Sequence, residues 1–120
     1  MSWDIFIQDL PNVASIQDVP ATHKPRSIGN RDELVARIRE AVPFAEEQDR
    51  VWIFIRSVVI DISIQLHMED ATQVRYMVAH VHAGDQSAAC VAAILRVMKL
   101  RAHDTSTGEL FDGYSLDESL

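Results

Sequence analysis

Residues 51–82 read VWIFIRSVVIDISIQLHMEDATQVRYMVAHVH, and their alternation decides the fold class. Val58, Ile60, Ile62, Ile64 and Leu66 alternate with Val59, Asp61, Ser63, Gln65 and His67. A period of two is that of a strand with one buried and one wet face, as in an antiparallel sheet covered on one side. Residues 51–56 read as the strand before it, and residues 68–71, with Glu69 and Asp70, as the turn after it. Residues 73–82 alternate again. Val74, Tyr76, Val78, His80 and His82 fall on one side and Arg75, Met77, Ala79 and Val81 on the other, both sides largely apolar, so the pattern leaves the buried side open.

Working outward, residues 3–8 (WDIFIQ) form a further strand with Trp3, Ile5 and Ile7 on one face. Pro11, Pro20, Pro25 and Gly29 punctuate a long surface connection over residues 9–30. Asn30 and Glu33 mark a helix start with a capping box, and Leu34, Val35, Ile38 and Val42 follow at helical spacing up to Pro43. Asp85 is the expected N-cap of a second helix over residues 86–98, whose stripe is Cys90, Val91, Ile94, Leu95 and Met98. A short strand at 100–102, a turn at 104–108 and an edge pairing at 109–111 complete a domain over residues 1–111, leaving 112–120 as a loose acidic tail. The expected class is α+β: an antiparallel sheet of about four strands with two helices on one face.

The chain has 120 residues, 18 acidic and 11 basic, and a formal charge of −7. That balance argues against a nucleic-acid binder or an anionic-membrane binder, both of which need clustered bases. By segment the charge is −1 over residues 1–30, −4 over 31–70, +3 over 71–103 and −5 over 104–120. Cys90 stands alone, the first residues lack a basic leader, and no apolar run approaches a membrane span, so a cytoplasmic protein is expected.

Candidate chemistry gathers at His67, Glu69, Asp70, His80, His82 and Asp85. His80 and His82 share a strand face and are the candidate metal ligands, although no HExxH or CxxC spacing accompanies them. Asp61, Ser63 and His67 supply the residue types of a catalytic triad. In line along one strand they stand about 6.6 Å apart, beyond hydrogen-bonding reach. Cys90 lies in an apolar stripe, the place of a small core residue. Trp3 and Trp52 read as sheet anchors. No phosphate-cradling glycine loop is present and no cofactor is expected. Asp61, Ser63, Gln65 and His67 then form an uncovered face suited to a second copy or another protein.

The segments SWDIFIQDLP (2–11), IGNR (28–31), HVHAGD (80–85), LRAHD (100–104) and TGELF (107–111) resemble small bacterial proteins that open with a similar SWDI…QDLP stretch. The resemblance implies a bacterial source and brings no established activity. Size and acidity are similar to those of bacterial immunity and inhibitor proteins, a likeness of composition. The expected function is therefore a non-enzymatic interaction module, with a small metal-dependent enzyme or metal-binding protein built on His80 and His82 as the alternative.

Overall fold

A computed structural model describes residues 3–118. In chain order the elements are β1 (Trp3–Gln8), β2 (Gly29–Asn30), α1 (Arg31–Ala41), β3 (Glu46–Glu47), β4 (Trp52–Arg56), β5 (Asp61–Met68), β6 (Gln73–Ala83), α2 (Ser87–Met98), β7 (Arg101–Asp104), β8 (Leu110–Phe111) and α3 (Gly113–Glu118). The architecture is α+β. One antiparallel sheet runs β3-β4-β5-β6-β1-β7-β8, with β2 paired to β6 outside that path. Among the described residues the sheet thus has eight strands rather than about four, and there are three α-helices rather than two. Strands β2 and β3, which the sequence reading lacked, are two residues long, too short to leave a periodicity, whereas β8 is the edge pairing expected at 109–111.

The alternation in β5 is realised as read: Ile62 and Ile64 are 0 % exposed and Leu66 2 %. The strand starts at Asp61 rather than 58, because Ser57 N–H bonds Ile60 C=O and closes a hairpin turn, leaving Val58 fully exposed at its tip. A β-bulge resolves the two-sided ambiguity of β6. His67 pairs with Tyr76 but Met68 with Val74, so Arg75 is the extra residue and Val74 turns inward with Met77, Ala79 and Val81. Ile5 and Ile7, Ile53 and Ile55, and the inward residues of β5 and β6 pack under Leu34, Val35 and Ile38 of α1 and Val91, Ile94 and Leu95 of α2. Full burial of each such side chain contributes about 1.5–3 kcal/mol.

Asn30 caps α1 as expected, accepting from the amides of Asp32 and Glu33. The cap of α2 differs: Gln86 occupies it without a side-chain bond, and Ser87 Oγ donates instead to the Ala83 carbonyl at 2.6 Å. Residues 113–118, expected in the loose tail, are helical. Asp112 Oδ1 accepts from the amides of Tyr114 and Ser115, Gly113 is buried against α2, and Leu116 packs on the core. Arg101 of β7 faces Asp112 at 3.9 Å and Arg96 of α2 donates to the Gly113 carbonyl, so both elements hold the start of the segment. No helix among the described residues is long and apolar enough to cross a membrane.

Candidate functional site on the open sheet face

Strand parity puts Asp61, Ser63, Gln65 and His67 of β5 on the side of the sheet opposite the helices, as expected, and no helix among the described residues covers them. Their neighbours follow from register. Gln65 lies between Trp52 and Val78, Ser63 between Phe54 and His80, and His67 opposite Tyr76. On the far side of β6, His80 faces Asp4 and Val78 faces Phe6, and Phe6 in turn faces His103 of β7. Four of the five histidines and four of the eight Phe, Tyr and Trp residues therefore share this one face.

These rings contact one another. His67 and Tyr76 stack at 4.4 Å between centroids, Phe6 lies 5.5 Å from Tyr76 and 5.2 Å from His103, and Trp52 lies 6.0 Å from His80. Such separations are those of attractive aromatic pairs. Arg56 places its guanidinium 4.3 Å over the Phe54 ring. Trp3 is the sheet anchor of the pair: its Nε1 donates to Asp104 at 2.7 Å and its ring stacks on Phe111. Trp52 lies instead on the open side.

Two hydrogen-bonded pairs occupy the centre of the face. His80 Nδ1 meets Asp4 Oδ1 at 2.9 Å, and Ser63 Oγ meets His82 Nε2 at 3.0 Å. The second pair depends on another bulge. Asp61 pairs with Ala83 and Ile62 with Val81, so His82 is the extra residue, and its side chain lies over the neighbouring strand. A groove of about 460 Å³ opens here, lined by Trp52, Phe54, Arg56, Ser63, His80 and His82.

The arrangement narrows the chemistry. Ser63 is bonded to His82, not to His67, and Asp4 is bonded to the other β6 histidine, so these side chains form no Ser-His-Asp relay. β5 pairs with β4 on one side and β6 on the other, which engages its amides and leaves no donors for an oxyanion hole at Ser63. His80 and His82 do lie side by side, 6.5 Å between ring centroids, but one nitrogen of each is taken by Asp4 or Ser63. The described residues contain no group of three or more His, Cys, Asp or Glu placed to hold a metal. Cys90 is buried in the core, where desolvation pushes its thiol up to about 11 and keeps it a thiol at neutral pH.

Burial lowers the pKa of His67, with His80 adding to the effect, and burial likewise lowers that of His103, against the pull of Asp104. The Nδ1 of His103 is enclosed without a partner among the described residues. A histidine with a depressed folded-state pKa takes a proton more readily when unfolded. Its neutral form leaves stability intact above the ordinary value of 6.5, and stability falls as pH drops from there through the lowered folded-state values. Urea midpoints are expected to hold between pH 8 and 7 and to decline below about 6.5. Replacing both His67 and His103 with Gln is expected to flatten that decline.

The sequence reading found the β5 row and the two β6 histidines, but missed Trp52, Phe54 and Arg56 of β4 and Asp4 and Phe6 of β1. Asp4 and His80 are 76 positions apart, and only the β1–β6 register joins them. The alternation WIFIR at 52–56 carried a usable signal, since its apolar residues Ile53 and Ile55 assign Trp52, Phe54 and Arg56 to the opposite face. Compared with protein-family models, with curated proteins and with solved structures, the chain matches none.

Proposed function

We propose that this chain is a non-enzymatic interaction module whose working surface is the open sheet face, with another protein or a second copy of itself as the occupant. One observation carries the reading: Phe6, Trp52, Phe54 and Tyr76 lie together on a face that no helix among the described residues covers. Aromatic residues are enriched at protein interfaces, where large rings supply contact area at little entropic cost. Two polar pairs at its centre, Asp4 with His80 and Ser63 with His82, are formed in advance, so covering them strands neither.

Photo-crosslinking tests this directly. A benzophenone amino acid at position 65, in the centre of the face, is expected to yield one discrete adduct in the cell of origin. The same group at position 37, exposed on α1, is expected to yield none. An adduct of twice the chain's mass identifies a second copy and any other discrete mass a different protein; equal labelling from both positions, or none from 65, overturns the proposal.

A further inference from the structure

Ser63 is the small residue in a row of large ones. Phe54 stands beside it on β4 and His80 on β6, so the side chains form a trench with Ser63 as its floor. Two strand spacings separate the walls, roughly 9–10 Å backbone to backbone. Half of that spacing, about 5 Å, is within the range of stacked aromatic pairs, so one flat ring can lie between the two walls. Trp52, 6.0 Å from His80, closes one end. Arg56 and His82 stand at the other, and the volume of about 460 Å³ is of the size that holds a small molecule.

The donors are in place for an anionic group. The Arg56 side chain makes no hydrogen bond or ion pair among the described residues: its guanidinium stands over the Phe54 ring, 4.3 Å from the centroid. Asp61 is its register partner but forms no ion pair with it among the described residues, and Asp4 is bonded to His80. Arginine stacked on an aromatic ring offers a planar fork of donors suited to a carboxylate.

We infer that this trench binds one planar aromatic ring carrying a carboxylate, the ring between Phe54 and His80 and the carboxylate on Arg56. The site lies within the docking face, yet it requires no protein partner and stands or falls separately from the docking proposal. The ring and carboxylate arrive either as a free aryl acid or as the aromatic C-terminal residue of a partner chain.

The test is a titration followed by amide and indole signals in ¹H–¹⁵N spectra. Indole-3-acetate and its uncharged counterpart indole-3-ethanol are both expected to shift Trp52, Ser63, His80 and His82, with the acid binding about tenfold tighter. Arg56→Gln is expected to erase that tenfold preference, so that the acid and the alcohol bind with equal affinity. Ser63→Leu fills the trench and Phe54→Ala removes a wall; each is expected to abolish binding of both probes, so a folding failure in one leaves the other to report. The tripeptide Gly-Gly-Trp, with a free carboxylate, separates the sources: tighter binding than indole-3-acetate assigns the ring to a chain end, and weaker binding to a free acid. No saturable shift at tens of millimolar, equal affinity for acid and alcohol, or shifts that survive in Phe54→Ala overturns the inference.

Discussion

Gly84→Val is expected to cost about 3 kcal/mol of stability and to lower the melting temperature by about 10 °C. Gly84 sits at the end of β6 with φ +104, a region that residues with a side chain rarely adopt. A Cβ there would stand closer than 3.0 Å to backbone atoms of Val59 and Ile60. Those atoms belong to the tip of the β4–β5 hairpin, which also accepts the amide of Gln86 through the Val59 carbonyl at 3.0 Å. Backbone meets backbone, so neither side can give way by turning a rotamer. The strain and the clash add, and the hairpin must separate from the start of α2. Gly108 is the control: its φ is also positive, at +77, but its Cβ would meet side-chain atoms alone, the γ2 methyl of Ile16 and the hydroxyl of Ser15. Gly108→Ala is expected to cost about 1 kcal/mol. Equal effects at the two glycines would contradict the packing described for residue 84.

Arg31→Ala is expected to be as damaging, at about 3 kcal/mol. The residue is 5 % exposed although charged. Nε donates to the Arg50 carbonyl at 2.7 Å, Nη2 to Glu47 at 2.7 Å and to the Asp49 carbonyl at 3.2 Å, and Nη1 to Asp32 at 3.0 Å. One guanidinium thus ties the first turn of α1 to the segment that leads into β4. Truncation leaves two carbonyls and the Glu47 carboxylate without their donor, which costs more than the bonds themselves contribute. Arg31→Lys is expected to recover less than half of the loss, because an ammonium cannot reach four acceptors spread around a planar fork. Chemical denaturation of the three proteins measures both differences. A loss under 1 kcal/mol in the alanine variant would mean that the segment holds itself in place.

Neither residue announced itself in the sequence. Arg31 reads there as one of four polar residues at a helix start, and Gly84 as a breaker between two elements. What was legible is what local period determines: the inward row of β5, the apolar stripes of both long helices, the Asn30 cap and the polar row Asp61, Ser63, Gln65 and His67. What was not legible depends on partners distant in the chain. The side of β6 that turns inward is set by a bulge at Arg75, and Arg75 carries no mark of it. The tail illustrates the same limit. Residues 104–120, which include it, carry −5 against +3 in residues 71–103, and two segments of opposite sign near one end of the chain were a hint of contact. The hint became a structure only through Gly113, whose missing side chain lets α3 approach Ala92 and Arg96 of α2. The site follows the same division: strand parity gave one row of the face, and register with β4 and β1 supplied the aromatic walls.

The open face as working surface is tested most directly by oxidative footprinting with short-lived hydroxyl radicals, on the isolated protein and in the cell of origin. Trp52, Phe54 and Tyr76 report on the face; Tyr114 and Phe44, 67 % and 48 % exposed and off that face, are the controls. The expected result is strong protection of the three face residues in the cell with the controls unchanged. Unchanged oxidation at Trp52, Phe54 and Tyr76, or protection confined to Tyr114 and Phe44, would contradict it.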